Sequence, residues 1–309
     1  VSKTRLAATQ YIARALGAEG NTTQLNAASD ALLAAVQEWN LRRDWHFLLM
    51  DTADSFTVAG CANTAGAVTT TTTDGFAGIN VGQTFTVTDG APAGTYTVAT
   101  IVSTASITVT GGGGNFASET LTFATADIPT IVGTDTYNLP TPFKRPYIAR
   151  IISGSERSLD WKDQKVIDKM FQSQSPPSLP AFYNLFNRSS FTQARQNGKI
   201  RLFPIPSLAE TLRVRYYRPI AEPVGDSTLL DVPDRYIYAL LETARWHYLK
   251  NHDAETARLA MTDQKAEQMF QRCAADDEGE TDDRDIGFVA QVDHAMQHQI
   301  ITDEIAGWP

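Results

Sequence analysis

The sequence has only two cysteines in 309 residues, Cys61 and Cys273. Two cysteines cannot build a disulfide framework or a Cys-based zinc site, and such low usage fits a reduced, cytoplasmic place of synthesis. No run of ~18 consecutive apolar residues occurs, so no membrane-spanning helix is expected. The opening residues mix Lys3, Arg5 and Arg14 with apolar positions and contain no signal-peptide apolar block. From Asp44 to Phe143 there is neither lysine nor arginine, which excludes a phosphate-gripping surface in that stretch. Also missing are a P-loop, GxGxxG, GxSxG and HExxH. The Gly111–Gly114 run sits between Thr-rich segments rather than ahead of a helix, so it is not a phosphate cradle.

Few residues remain that could carry chemistry. His294 and His298 are four apart and can face one metal on a helix, but no third ligand accompanies them at a sensible spacing. His247 and His252 are five apart and share no helix face. Glu156 and Asp160 are scattered near strands and do not make an acid–base pair. No catalytic residue, cofactor or metal is therefore expected, and the chain reads as a non-enzyme.

What is present is an uneven distribution of charge. Residues 276–309 hold ten acids and one base, so this segment alone carries the chain's whole net charge of −9. Residues 144–275 hold 20 bases against 14 acids. A neutral body, basic in its second half, ends in an acidic tail of the kind that often mediates interactions.

Hydrophobic periodicity predicts helices over residues 4–17 and 23–43, the second with a Leu25, Leu32, Val36, Trp39 stripe. Asn21, Thr22 or Thr23 can cap the second. Period-two alternation with β-branched residues predicts strands at Thr84–Thr88, Thr95–Val102, Ser106–Thr110 and Thr120–Thr125. Further strands are expected at Tyr137–Pro140, Tyr147–Ile152, Ser158–Lys162, Phe182–Phe186, Lys199–Phe203 and Leu212–Tyr217, with a helix over Lys162–Gln174. Pro233–Ala275 reads as one long helix or two, with Ile237, Leu240, Leu241, Ala244, Tyr248 and Leu249 as its apolar stripe. These elements predict an α+β fold: a helical bundle with a long C-terminal helix packed with a β-sheet domain, plus an inserted small β-sandwich or barrel. The expected domains are a core of helices plus β-sheet from residues 1–59 and 128–275, a β-rich insert over 60–127, and an acidic tail over 276–309 that starts with a linker lacking any apolar anchor.

Lys199 and Arg201 alternate with apolar residues, as do Arg213 and Arg215. If their strands are neighbours, the four cations share one sheet face and form a surface for an acidic partner.

The order of motifs carries a resemblance. Val36-Gln-Glu-Trp39 is followed by Tyr137-Asn-Leu-Pro140, Leu159-Asp-Trp161 and Ala181-Phe-Tyr183. Gly198-Lys-Ile-Arg-Leu-Phe-Pro204, Leu212-Arg-Val-Arg-Tyr-Tyr-Arg-Pro219 and Leu230-Asp-Val-Pro-Asp234 complete the series. Over residues 1–55 and 134–275 the chain resembles the head-to-tail adaptor proteins of short-tailed phages, which include tail tubular protein A and the packaged-DNA stabilisation or head-completion proteins. The resemblance implies a structural subunit of a twelve-membered ring at the head–tail junction of the virion, made in the host cytoplasm. Its implied partners are the portal protein, a tail nozzle or tail tube component and further copies of itself, with no specific DNA binding and no membrane. Val289, Val292, Met296 and Ile300 would then be helical anchors of a portal-docking tail, with Trp308 as a terminal anchor. Two other classes stay open at this point: a tail-associated binding module or adhesin, and a tail-embedded cell-wall hydrolase.

Overall fold

The computed structural model describes residues 3–14, 17, 21–87, 94–112, 114–153, 156–170, 177–186, 198–252 and 256–279. Its helices are α1 (Arg5–Ala13), α2 (Thr22–Arg42), α3 (Gln164–Met170), α4 (Asp234–Lys250) and α5 (Thr256–Gly279), with a 3-10 turn at His46–Leu48. Its first seven strands are β1 (Leu49–Asp51), β2 (Phe56–Thr64), β3 (Ala67–Thr70), β4 (Thr84–Val87), β5 (Thr95–Ser103), β6 (Ser106–Gly111) and β7 (Phe116–Phe123). The remaining strands are β8 (Ile128–Pro129), β9 (Thr136–Asn138), β10 (Arg145–Ile151), β11 (Arg157–Trp161), β12 (Phe182–Phe186), β13 (Lys199–Phe203) and β14 (Thr211–Tyr217). The fold is α+β. Val1–Leu48 with Ile220–Pro309 make one compact unit and Leu49–Pro219 the other.

The first unit is helical. Asn21 caps α2 through its side-chain oxygen, which accepts from the Thr23 and Gln24 amides at 2.9 and 3.4 Å. The α2 stripe buries Leu32, Val36 and Trp39, while Leu25 is partly buried against them. All six residues of the α4 stripe are buried. Trp39 stacks on Trp45 at 4.8 Å between ring centroids, and Phe270 of α5 meets both indoles edge-on at 5.4 Å. The Trp39 indole N–H donates to the Thr243 hydroxyl at 3.1 Å, so its polar handle is satisfied inside the core.

Pro233–Ala275 is two helices rather than one, because α4 ends at Lys250 and α5 begins at Thr256. The helix α5 also runs further than the composition predicts, to Gly279. Asp276 and Asp277, expected in a charged linker, have specific partners. Asp277 is fully buried; its carboxylate accepts from the His46 amide at 2.8 Å and the Phe47 amide at 3.4 Å. Those amides open the 3-10 turn and have no partner in its first turn, so a carboxylate is favoured there. Asp276 accepts from the Tyr236 hydroxyl at 2.9 Å. Residues 280–309 lie outside the described residues.

The second unit carries two β structures. Strands β2-β3-β6-β5-β4-β7 form a closed barrel. Its interior is filled by residues of alternating inward positions, including Val58, Val68, Phe85, Tyr96, Ile107, Leu121 and Phe123. Closure removes most of the edge that six Thr-rich strands would otherwise expose, though β3 pairs with β2 only over Cys61–Thr64. An eight-stranded sheet follows the order β1-β14-β10-β11-β12-β13-β9, with β8 paired to β14. Among the described residues, β11–β12 is the one strand pair that is parallel. The sheet's own core gathers Ala149, Ile151, Leu159, Tyr183, Ile200, Leu202, Leu212 and Val214, the apolar members of each alternating strand. Both cysteines are free and buried. Among the described residues no helix is long and apolar enough to cross a membrane.

Trp39 and Leu41 lie two positions apart on α2 with opposite surroundings: Trp39 is fully buried and Leu41 is 80% exposed. Trp39→Ala is expected to destabilise the protein by about 3–5 kcal/mol through lost packing. Leu41→Ala should stay within about 0.5 kcal/mol of the parent. Urea unfolding of both variants checks this; equal midpoints would contradict the assigned core.

Candidate interaction surfaces

The arginines singled out in the sequence occupy the sheet face opposite its apolar core. On β13 and β14 the apolar residues are buried, whereas Lys199, Arg201, Arg213 and Arg215 are only half-buried. The strands are not neighbours, however. Strands β10, β11 and β12 stand between β13 and β14, so the four cations do not form one cluster. Three of them already have carboxylates. Arg201 Nε meets Asp135 at 2.6 Å, Arg213 Nη2 meets Asp127 at 2.7 Å, and Arg215 Nε meets Asp51 at 2.8 Å. The hydrogen bond it donates to Asp127 is the main influence holding the Arg213 guanidinium above its usual pKa. Lys199 stands opposite Asn138 of β9. The proposed tail anchors Val289, Val292, Met296, Ile300 and Trp308 all lie outside the described residues.

Asp127 explains how this face and the barrel are joined. The cross-strand register sets Arg150 of β10 directly opposite Arg213 of β14, an unfavourable like-charge pair on its own. Asp127, 6% exposed, supplies the counter-charge. Its Oδ1 also accepts from the buried Thr52 hydroxyl at 2.7 Å. That hydroxyl in turn accepts from the Val214 amide at 2.9 Å. The Asp127 carbonyl accepts from Gln83, which leads into β4 of the barrel, at 3.1 Å. A second tie runs from Asn80 to Asn138: the Asn138 amide donates to Asn80 Oδ1 at 2.8 Å, and Asn80 Nδ2 donates back to the Asn138 carbonyl at 2.9 Å. Gly78 has φ of +82° and a Cβ there would lie 2.7 Å from the Leu139 carbonyl oxygen, so only glycine permits this approach.

Beside the junction lies a cleft of about 610 Å³. Met50, Pro140, Pro142 and Tyr216 give it an apolar floor, and the consecutive residues Ser55–Ala59 form one wall. Its charged lining residues are Asp51, Asp54, Asp74 and Arg218. Burial pushes the Tyr216 hydroxyl up to about 12; Arg218 acts against this, and Asp54 and Asp51 add to it. Sequence patterns gave no signal for this cleft, because its carboxylates sit in separate turns that only the fold brings together.

The Arg213–Asp127 pair makes an asymmetric prediction. Asp127 is the more buried partner, with its side chain 5% exposed against 32% for Arg213. Arg213→Ala leaves a buried carboxylate short of its counter-charge and is expected to cost about 3 kcal/mol. Asp127→Ala leaves a guanidinium that can reach water and should cost less. The double variant should recover part of the loss, a coupling of about 1 kcal/mol or more in a denaturant cycle. Additive single losses would contradict the pairing.

No curated protein matches the sequence. The family model described as SU10 adaptor protein matches residues 114–291, more than half of the chain. The match takes in β7, the sheet from β8 to β14, and helices α3 to α5, and leaves β2–β6 of the barrel outside. The chain therefore belongs to the SU10 adaptor protein family and is a phage structural adaptor.

Proposed function

We propose that this adaptor is the subunit of a connector ring that joins the portal to the tail and extends the DNA channel at the head–tail junction. The observation that carries this reading is the family match over residues 114–291. The ring has twelve copies, and its partners are the portal protein above and a tail nozzle or tail tube component below. A closed ring of identical chains needs two different, mutually matching faces on each copy. Charge supports a passive channel wall. Arg201, Arg213 and Arg215 are already occupied by carboxylates, and residues 44–143 contain no lysine or arginine. Specific DNA affinity rests on free cations that release phosphate counterions, so none is expected here.

The portal-docking element in this reading is the acidic C-terminal tail, with Val289, Val292, Met296, Ile300 and Trp308 as its anchors. Its acids speed encounter with a basic partner surface, an effect that fades with salt. The helix contacts set the boundary for a test. Asp276 and Asp277 belong to the folded unit through Tyr236, His46 and Phe47, so truncation belongs after Gly279. That variant should keep the parent melting temperature and lose at least about tenfold in portal affinity. Portal binding as tight as the full chain's would remove the tail from the account.

The barrel is an inserted module that the ring does not need. Phe56 and Phe123 are register partners on β2 and β7, so the two ends of the barrel lie side by side. A short Gly/Ser linker replacing residues 56–123 can therefore close the gap at little entropic cost. Keeping Thr52 and Asp127 preserves the Arg213 network. The shortened chain is expected to fold with a lower melting temperature, because the Gln83 and Asn80 ties are lost, and still to form rings in negative-stain images. A soluble shortened chain that stays monomeric would show the barrel to be part of the ring.

A further inference from the structure

The cleft of the second unit has three features that together define what fits it. The first is a strand edge. Phe56, Thr57 and Val58 of β2 pair with Phe123, Thr122 and Leu121 of β7. On their other side, β3 joins β2 only at Cys61–Thr64. Among the described residues, therefore, no strand pairs with Phe56–Val58 on the side away from β7, although the Val58 carbonyl accepts from the Cys61 thiol at 3.4 Å, and these residues line the cleft. An unpaired edge is usually blocked by charge, proline or a bulge. Here the edge runs into a bulge, where the β2–β7 register shifts between Val58 and Cys61 and Gly60 has φ of +65°, and the residues before the bulge line the cleft.

The second feature is charge. Three carboxylates, Asp51, Asp54 and Asp74, stand against one guanidinium, Arg218. Asp51 is engaged by Arg215 and Arg213 and Asp74 accepts from the Thr104 hydroxyl, while Asp54 is exposed. The third is the apolar floor of Met50, Pro140, Pro142 and Tyr216, which rewards burial of alternate side chains from an extended chain. A free edge supplies main-chain affinity, and pockets and charge supply selectivity; this is the logic of strand addition.

We infer that the cleft is a docking site for an extended cationic segment of a partner virion protein, which adds as a strand beside Ser55–Val58. This inference rests on the adaptor reading, since an adaptor brings a partner polypeptide to this surface. It assigns to the barrel edge a contact that neither the family match nor the tail provides.

The experiment places a photo-reactive residue at Thr57, whose side chain is exposed, in the full chain and grows particles carrying it. Val102, 66% exposed at the far end of β5, serves as the control position. Cross-linked peptides from purified particles are sequenced by mass spectrometry. The expected product from Thr57 joins this chain to one Lys/Arg-bearing, acid-poor segment of a different virion protein, and Val102 does not yield it. Combining Asp54→Asn with Asp74→Asn keeps an acceptor for the Thr104 hydroxyl, which donates to Asp74, and should lower the yield on the order of tenfold. Thermal melting of this variant confirms that it is folded. Cross-links to no single segment, to an acidic one, or to this chain's own residues 187–197, which carry Arg188 and Arg195 and no acid, overturn the inference. So does a yield that the double variant leaves unchanged. Absence of the chain from particles overturns the adaptor reading and this inference with it, whereas a chain present in particles without the Thr57 product overturns only the inference.

Discussion

A carboxylate buried to within 6% of full occlusion must find its hydrogen bonds inside the protein, and Asp127 finds them in a way that organises the whole second unit. Oδ1 takes the Thr52 hydroxyl, and both oxygens take the Arg213 guanidinium. The main-chain carbonyl takes Gln83. Each partner belongs to a different part of the unit: Thr52 follows β1, Arg213 is at the centre of β14, and Gln83 precedes β4 of the barrel. The barrel thus does not hang from a loose linker. It is tied where the chain leaves it, and the Asn80–Asn138 exchange ties it again. Such polar networks are costly when partly satisfied and specific when complete. The cleft beside them exists because the two ties fix the barrel wall against the strand that carries Tyr216.

The helical unit uses the same device in a smaller form. Asp277 is a buried carboxylate that accepts from backbone amides of the turn that follows Trp45 and meets Arg43 Nε at 3.5 Å. It anchors the end of α5 next to the Trp39–Trp45–Phe270 cluster. The chain's acids therefore have at least two jobs that the net charge of −9 conceals. Some are internal counter-charges, as Asp51, Asp127 and Asp135 are for the sheet arginines. Others lie in the C-terminal residues, where the proposed docking function needs them free.

Much of the local structure was legible because it rests on periodicity. Phe182–Phe186 and Lys199–Phe203 are strands with the expected ends. The Thr-rich runs at Thr84, Thr95 and Ser106 begin β4, β5 and β6 where alternation begins. The α4 stripe is buried residue for residue. What periodicity cannot supply is which strand lies beside which. Arg201 and Arg213 alternate in the same manner, yet three strands separate them and each has its own acid. Asp51, Asp127 and Asp135 lie 66 to 164 positions from the arginines they bind, so no local pattern links them. Charge density misled in a similar way at Asp276–Glu278: a run of acids reads as a linker, but all three face donors contributed by distant residues.

The family membership and the paired arginines converge on a protein that works by fitting between others, with its charges largely settled internally before assembly. The central claim, an adaptor ring at the head–tail junction, is tested most directly by imaging purified particles with a small density label inserted at the exposed Thr104 turn of the barrel. The account predicts label density repeated around the channel axis between portal and tail. Label confined to fibre tips or to the distal end of the tail would contradict it.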